Sequence, residues 1–495
     1  MDSTGGPTPD RMPDSVPSPR AAGSLACTTQ ARSTQARSPV RAPLGGGTAA
    51  AGPSAGPAAG SSTGPSAGAV RTVRTPRPAV TELRLSAFAA HRAAVHPLGP
   101  VTLFTGASGT GKSTALRAYE ALARLGAGED LAAAFPDAVA CVPERARPDA
   151  QGRRGFRIGC TVDGPAGPVR LDLAVQVEPS LRIVGERLTC RGRTLLTTAL
   201  RDPGRSTVQA EWHTAGTTPV TRAPFPDGRL GTALLPLRVA GKTKGQLEVL
   251  AAAEQVVVAL RSVFPCDPRP SRMRAPVPKG EGRLRRGCDN LAEVLHRTAT
   301  ECARRHARLA AVAGAGCAGV VTGLRVEELP DATVRAFLER GPRGAAGGSA
   351  GGPAGGSVGG SAGGPAGGVL GGVPGVAPGG VVVPAPRGGV PVVTPLGRLG
   401  DGELRYLALA LVLLTGPGVL AMDQLAEVPS AMRTLTVLAD GLDGCLDGLQ
   451  LRALLDLAAG ICADGHIRLV GTVGEAAADY ARETPGVSVV HLGRE

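Results

Sequence analysis

One short segment constrains the fold of this chain more than any other. An apolar run at residues 101–105 is followed by Gly-Ala-Ser-Gly-Thr-Gly-Lys-Ser at 106–113, and good helix formers come next. The middle part fits the pattern G-x-x-x-x-G-K-[ST], in which glycines let successive backbone N–H groups turn inward around phosphate oxygens. We therefore expect a buried strand, a phosphate-binding loop and a helix, in that order.

The residues of this loop suggest separate roles. Lys112 can reach the β- and γ-phosphates of a nucleotide, and the Ser113 hydroxyl can ligate Mg²⁺. A helix that begins near Lys112 adds the positive end of its dipole. The predicted nucleotide-binding residues of the loop are Gly106, Ala107, Ser108, Gly109, Thr110, Gly111, Lys112, Ser113 and Thr114.

Charge raises the question of a nucleic-acid partner. The formal net charge is +13, and a basic cluster lies at residues 269–286. This cluster could be an arm that contacts DNA or a solvated loop. Aromatic residues, which stack on bases in many single-strand binders, make up only 2% of the chain. We keep DNA contact through 269–286 as a hypothesis.

Cysteine usage and hydropathy indicate the compartment. The ten cysteines contain no C-x-x-C pair, which argues against a zinc site and against a disulfide framework. No stretch of about 18 apolar residues is present. The sequence therefore predicts a cytoplasmic protein without a membrane segment.

Composition divides the chain into ordered and disordered parts. Residues 1–78 and 341–391 are rich in Gly, Ala, Pro and Ser, and they bury too little apolar surface to offset the entropy of ordering. We predict a disordered tail and a flexible insertion there. Residues 79–340 and 392–495 are expected to form the two parts of one α/β domain.

Hydrophobic periodicity predicts the elements of the first part. A β-hairpin is expected to lead into the 101–105 strand, followed by a region of antiparallel strands and then by a helical arm at about 245–315. A strand–helix unit is expected at 320–338. The predicted antiparallel strands are 156–162, 169–177 and 181–188, and the predicted long helices are 247–264 and 289–311.

Three features mark the C-terminal part. Leu-Gly-Asp-Gly-Glu-Leu-Arg at 399–405 precedes a helical run at 406–414. An apolar run at 419–422 ends in Asp423, as a buried strand ending in an acid would. A further strand is expected at 467–472.

The order of these features resembles the ABC class of ATPases, and within it the RecF/OLD-like AAA-family ATP-binding proteins of bacteria. Gly-Cys-Asp-Asn-Leu at 287–291 matches a Gly-x-x-Asn-Leu segment common in their arm, and 399–405 is close to their Leu-Ser-Asp-Gly-x-x-Arg signature. The likeness covers about 80–340 and 392–495. It implies a P-loop NTPase with an ABC-type mixed β-sheet core, an antiparallel β subdomain and a short helical arm, and it implies ATP and Mg²⁺ as ligands.

The resemblance also implies a composite site. In an ATP-dependent homodimer, Gly400, Gly402 and Glu403 would face the nucleotide bound by the partner's loop. The simpler interpretation is an ordinary helix N-terminus, with Asp401 as its cap.

Two catalytic positions depart from the family pattern. Asp423 would assist the metal, but Gln424 follows it where a water-activating glutamate is usual, and Glu427 or Glu403 could substitute. Thr472 occupies the place of a switch histidine. Because a glutamine cannot accept a proton at neutral pH, we predict ATP binding with slow hydrolysis.

Two other functions stay open at this point. The first is a nucleotide-binding regulatory protein that does not hydrolyse ATP, which the Gln424 and Thr472 positions favour. The second is a P-loop small-molecule kinase, which the long insertion between the two halves of the site disfavours. The sequence offers no zinc hook, no sustained heptads and no clustered carboxylates of a nuclease domain.

Overall fold

The computed structural model describes residues 76–215, 219–341, 392–422, 428–429 and 432–493. The predicted tail, up to residue 75, and the predicted insertion, from 342 to 391, lie outside these ranges. The described residues form a mixed α/β structure with three sheets, two of them antiparallel and one parallel.

The strands are numbered in chain order. They are β1 (Ala79–Phe88), β2 (His91–Pro97), β3 (Val101–Thr105), β4 (Arg154–Asp163), β5 (Val169–Glu178), β6 (Arg182–Cys190), β7 (Arg193–Ala199), β8 (Thr207–His213), β9 (Val220–Pro226), β10 (Val263–Pro265), β11 (Val277–Pro278), β12 (Val321–Glu328), β13 (Thr333–Arg340), β14 (Val392–Pro395), β15 (Leu435–Ala439), β16 (Ile467–Thr472) and β17 (Val487–His491).

The α-helices are numbered in the same way. They are α1 (Lys112–Gly126), α2 (Leu131–Ala134), α3 (Gly231–Leu234), α4 (Lys244–Arg261), α5 (Leu291–Glu301), α6 (Ala303–Gly316), α7 (Asp401–Thr415), α8 (Gly448–Ala463) and α9 (Glu475–Glu483). In the part of the chain that the structure covers, no helix combines the length and the apolar character that crossing a bilayer requires.

The largest sheet is antiparallel and has eight strands in the order β2-β1-β4-β5-β6-β7-β8-β9. It contains the predicted lead-in hairpin, β1 with β2, and all three predicted antiparallel strands. Alternate side chains point to one buried face, among them Ile158 and Cys160 on β4 and Leu171 and Leu173 on β5. The predicted antiparallel β region is therefore confirmed.

The second sheet is parallel and has five strands in the order β10-β15-β16-β3-β17. All five residues of β3 and all five of β15 are buried. This explains their near-continuous apolar sequence, because a parallel sheet is covered on both faces. Three of its strands, β10, β15 and β17, fall where no strand was predicted.

The third sheet corrects a sequence-based prediction. Instead of a strand and a helix at 320–338, β12 and β13 form an antiparallel hairpin, flanked on β13 by β11 and β14. Alternate residues of β13, Val334, Ala336 and Leu338, are buried. The turn between the strands contains Ala332 at φ 59°. The strand part of the prediction is confirmed and the helix part is wrong.

The helices of the 245–315 range do not pack as a single arm. Helix α4 packs on α1 and on the eight-stranded sheet, whereas α5 and α6 pack on each other and against α7 and the β12–β13 hairpin. The single helix predicted at 289–311 is wrong, since the backbone is not helical at Cys302, with φ −152° and ψ 86°.

Two hydrophobic cores meet at β3. Phe104 belongs to the core shared with α1, α4 and the eight-stranded sheet. Val101 and Leu103, which point the other way, belong to the core shared with α7 and α8. The loop that follows β3 therefore begins at the boundary between the two cores.

Candidate nucleotide-binding site

The 106–113 segment forms a tight turn between β3 and α1, as the sequence predicts. Gly106 has φ 140°, and a Cβ built there would lie 2.3 Å from the carbonyl oxygen of Leu492. The side chain of Thr110 closes the turn by donating to the Ala107 carbonyl at 2.9 Å. No other residue type fits at Gly106, because its conformation and the close approach of the Leu492 backbone both exclude a side chain.

Lys112 places its charge against this loop. Its Nζ donates to the carbonyl oxygen of Gly106 at 2.6 Å and to that of Ala107 at 3.1 Å. The ammonium group therefore lies beside the turn that a phosphate group would enter, and the N-terminal end of α1 points at the same place.

Three polar side chains converge next to the loop. Ser113 Oγ donates to Asp440 Oδ1 at 2.9 Å, and Thr472 Oγ1 donates to the same oxygen at 2.6 Å. Thr472 Oγ1 also accepts from the Gly441 N–H at 2.7 Å. Ser113 comes from α1, Asp440 follows β15, and Thr472 ends β16, so the group lies at the carboxyl ends of parallel strands, where ligands of α/β proteins usually bind.

Asp440, the acid in this group, was not singled out by the sequence analysis. The residues predicted to assist the metal and to activate water, Asp423, Gln424 and Glu427, lie outside the described residues. The strand predicted before Asp423 is wrong over 419–422, since Pro417–Val419 is a 3₁₀ turn and Leu420 makes one isolated bridge with Leu284. A second apolar run ending in an acid, 435–440, forms strand β15 and could have indicated Asp440.

Ser113 and Asp440 together suit Mg²⁺. Protein sites for nucleotide-bound Mg²⁺ commonly supply only one or two oxygen ligands, and phosphate and water supply the others. A hydroxyl and a carboxylate oxygen 2.9 Å apart fit that requirement. Within the described ranges, no group of three or more His, Cys, Asp or Glu side chains could hold a metal ion by itself.

A cleft of about 470 Å³ opens beside these residues. Arg286 and Glu120 form an ion pair along it, and Asp443 Oδ2 accepts from the Gly474 N–H at 2.9 Å. Its volume is in the range of small-molecule sites. The polar and charged residues of its lining are Lys112, Ser113, Arg117, Glu120, Asp267, Arg286, Asp440, Asp443 and Thr472.

The cleft also contains a buried thiol. Cys266 lines it, and its Sγ lies 3.9 Å from the Sγ of Cys288. The contact with Cys266, together with burial, raises the pKa of the Cys288 thiol well above its usual value. Cys288 therefore stays protonated at neutral pH, and a thiolate nucleophile is not expected from it.

The candidate signature residues, Gly400, Gly402 and Glu403, make close contacts within their own protomer. Glu403 Oε2 accepts from the Gly400 N–H at 2.9 Å, and Oε1 accepts from the Ala318 N–H and from Arg340 at 2.9 and 2.8 Å. Gly400 rather than Asp401 is the N-cap of α7. A Cβ on Gly402 would lie 2.5 Å from the Cys445 carbonyl oxygen, so this glycine allows α7 to approach a neighbouring turn.

Arg405 connects α7 to the cleft. This buried side chain donates to the carbonyl oxygens of Pro268 at 3.0 Å, Asp440 at 3.0 Å and Gly441 at 2.7 Å. Helix α7 is thus bonded to the turn that carries Asp440. Gly400, Gly402 and Glu403 are absent from the described lining of the cleft and form the N-terminal end of the helix that Arg405 anchors.

The basic cluster at 269–286 is largely neutralised by acids. Arg274 pairs with Asp401 and also donates to the carbonyl oxygens of Gly397 and Leu399. The other ion pairs are Arg269–Asp267, Lys279–Glu328, Arg283–Glu281, Arg285–Asp289 and Arg286–Glu120. These contacts leave little unpaired charge for a phosphate backbone, and DNA contact stays a hypothesis.

Comparison with known proteins adds little information about the function of this chain. No family model matches the chain, and no curated protein matches it. Among solved structures, an SMC head bound to the C-terminal winged-helix domain of ScpA is 12% identical with a TM-score of 0.39, covering 80% of this chain and 90% of that one. The SMC head domain of Thermotoga maritima is 10% identical with a TM-score of 0.35, covering 82% and 92%.

A structure of the recombination mediator protein RecF is 14% identical with a TM-score of 0.18, covering 24% of this chain and 29% of that one. At these scores the similarities do not establish the function of this chain.

Proposed function

We propose that this chain is an ATP-binding protein of the ABC class, of the RecF/OLD-like type, that takes ATP with Mg²⁺ at the 106–113 loop. The observation that carries the proposal is the hydrogen bond from Ser113 to Asp440, which joins the loop to the end of a neighbouring parallel strand. A hydroxyl and an acid in this arrangement hold Mg²⁺ in P-loop NTPases. Asp440, rather than Asp423, takes the metal-associated role in this proposal.

The proposed protein works as an ATP-dependent homodimer. The N-terminus of α7, at Gly400–Gly402, would meet the nucleotide of the partner, since a helix N-terminus attracts phosphate. Support comes from Arg405, which bonds this helix to the Asp440 turn of the same protomer. ATP at one site would therefore fix the position of the surface that completes the other.

Hydrolysis is proposed to be slow. The residue after Asp440 is Gly441, so a carboxylate that could accept a proton from water is missing at that position. Thr472 donates its hydroxyl proton to Asp440 and accepts from Gly441, and so its hydroxyl is engaged with the protein. A steady-state turnover well above about 1 s⁻¹, the low end for typical enzymes, would contradict this part of the proposal.

Binding of a fluorescent ATP analogue with Mg²⁺ tests the site. We expect Lys112→Ala to abolish measurable binding and Asp440→Asn to weaken the Mg²⁺-dependent part of it. Asp456→Asn, an exposed acid on α8, is the matched control and should bind like the wild type. Equal binding by Asp440→Asn and wild type over a Mg²⁺ titration would show that Asp440 takes no part in binding the metal.

Light scattering with ATP and Mg²⁺ tests the dimer. The expected result is a doubling of mass that Lys112→Ala does not show. A chain that binds ATP and stays monomeric would favour the regulatory alternative, in which the nucleotide sets only the conformation of one protomer. Transfer of phosphate to an added small molecule would instead favour a kinase.

A further inference from the structure

His91, outside the 106–113 loop, is hydrogen-bonded to it. It is the first residue of β2 and is 4% exposed. Its Nε2 lies 3.1 Å from the carbonyl oxygen of Gly111, the residue before Lys112. Because a carbonyl oxygen can only accept, the hydrogen bond requires the proton on Nε2. The same carbonyl also accepts the Ala115 N–H of α1 at 2.9 Å.

Packing holds the His91 ring in this position. A Cβ built on Gly111 would lie 2.6 Å from His91 Nε2, so the ring and the loop backbone are in direct contact. On its other side, the ring meets His96 edge-to-face, with centroids 5.4 Å apart, and His96 meets Phe104 at 5.2 Å. His96 and Phe104 are also buried. A row of three rings therefore connects β3 to the loop that follows it.

We propose that His91 is a positioning residue for phosphate binding, which orients the peptide between Gly111 and Lys112. In a trans peptide the C=O and N–H point in opposite directions, and this bond is trans. The carbonyl that accepts from His91 therefore directs the Lys112 N–H away from the histidine ring. That N–H is one of the free donors at the N-terminus of α1, where a phosphate oxygen would bind. This inference rests on the proposed function.

The test separates the hydrogen bond from the packing. His91→Phe keeps a ring and removes the donor, whereas His91→Gln provides a side-chain N–H. His96→Phe makes the same change one ring further along the row and serves as the matched control. Binding of a fluorescent ATP analogue with Mg²⁺ and the thermal midpoint are measured for each variant, with Lys112→Ala in parallel.

We expect His91→Phe to weaken binding about fivefold, while His91→Gln and His96→Phe stay within about twofold of the wild type, as the net value of one hydrogen bond implies. Wild-type affinity in His91→Phe would overturn the inference. Equal weakening in His91→Phe and His96→Phe would also overturn it, because a loss of packing would then be sufficient. If the wild type and Lys112→Ala bind alike, the proposed function fails instead.

Imidazole NMR provides a readout that does not depend on the stability of the variants. The chain has only seven histidines, so ¹⁵N-histidine labelling resolves them, and His91 is assigned by its loss in His91→Phe or His91→Gln. The expected result is the Nε2–H tautomer, with a chemical shift that moves on addition of ATP and Mg²⁺. An Nδ1–H tautomer, or a resonance unaffected by ATP in a chain that binds it, would contradict the proposal.

Discussion

At the scale of single residues, the environment of Asp440 is set by two hydroxyl groups that donate to the same oxygen. Ser113 is partly exposed, whereas Thr472 is 3% exposed and also accepts from Gly441. A buried donor to a carboxylate fixes its rotamer. Asp440 therefore presents its second oxygen, Oδ2, in a direction that Thr472 determines.

Thr472→Val tests this role, since valine has the shape of threonine without the hydroxyl. The variant leaves the Gly441 N–H without its acceptor and frees the Asp440 side chain to rotate. We expect Mg²⁺-dependent ATP affinity to fall about tenfold, the value of one charge-assisted hydrogen bond. Isothermal titration calorimetry measures it, with Thr197→Val on β7 as the control. Unchanged affinity in Thr472→Val would show that Asp440 needs no second donor.

A second residue-scale prediction concerns pH. Glu186 on β6 is buried and accepts from the Gly231 and Thr232 N–H groups, both at 2.7 Å, and from the Thr232 hydroxyl. Burial, the largest effect, raises its pKa, although these bonds act in the opposite direction. At pH values between the pKa of Glu186 in the unfolded state and its raised pKa in the folded state, the native state therefore binds more protons than the unfolded state. The contribution of Glu186 to the free energy of unfolding falls as pH rises through this window.

Urea denaturation across that pH window measures the effect. Glu186→Gln removes the titration, so its free energy of unfolding should decline less with rising pH than that of the wild type. Hydrogen bonds lost in the variant shift the whole curve and leave this difference in slope intact. Glu254→Gln, an exposed change on α4, is the control. Parallel curves for wild type and Glu186→Gln would contradict the prediction.

At the scale of elements, α7 is positioned by what its first turn touches. Gly402 lies so near the 441–450 segment that a Cβ would be 2.5 Å from both the Cys445 carbonyl oxygen and Gln450 Oε1. Arg274 holds the segment before the helix, through the carbonyl oxygens of Gly397 and Leu399. The glycine of the predicted signature therefore has a packing role, whether or not it also meets a partner's nucleotide.

Gly402→Ala should destabilise the fold by about 1–3 kcal/mol, because the added methyl group overpacks a contact that includes backbone. Gly460 on α8 is the matched control, since a Cβ there meets no atom within 4 Å. Gly460→Ala should stabilise the protein by up to about 1 kcal/mol through helix propensity. Chemical denaturation measures both variants. A neutral Gly402→Ala would show that α7 can move away from the 441–450 segment.

Much of the fold was predictable from the sequence, because it depends on local patterns. The alternation of apolar residues predicts β4, β5 and β6, and the 106–113 motif predicts the turn between β3 and α1. The sequence analysis did not single out Asp440, the acid that Ser113 contacts. Residues 419–423 and 435–440 have the same local pattern, and only pairing with β10 and β16 makes the second a strand.

Long-range contacts also explain the break between α5 and α6. Residues 299–304 contain neither glycine nor proline, so local propensity favours a continuous helix there. In the structure, His306 binds the Leu324 carbonyl oxygen at 2.8 Å through Nε2 and Thr298 at 3.2 Å through Nδ1. These contacts fix α6 against β12 in a direction that a straight helix would not reach.

At the scale of the whole molecule, the described parts on either side of the long insertion join at neighbouring positions. Strands β13 and β14 are antiparallel, and Arg340, the last residue of β13, lies opposite Val392, the first residue of β14. A connection across such a pair can be as short as a hairpin turn. The 51-residue length of 341–391 is therefore not required by the geometry of its ends.

Replacing residues 343–389 with a short Gly/Ser turn tests this view. We expect the shortened chain to fold. Its free energy of unfolding should be about 1.5 kcal/mol higher than that of the full-length chain, because folding closes a smaller loop. ATP affinity should equal that of the full-length chain. Calorimetry and fluorescent ATP binding measure the two quantities. A folded variant that no longer binds ATP would mean that the insertion takes part in the site.

Arg405 has a thermodynamic consequence for the proposed dimer. Its guanidinium group bonds α7 to the Asp440 turn, so a ligand that moves one must move the other or break buried hydrogen bonds. In such a system the factor by which ATP strengthens association equals the factor by which association strengthens ATP binding. Arg405→Ala would then reduce both factors together, whichever of the two equilibria is measured.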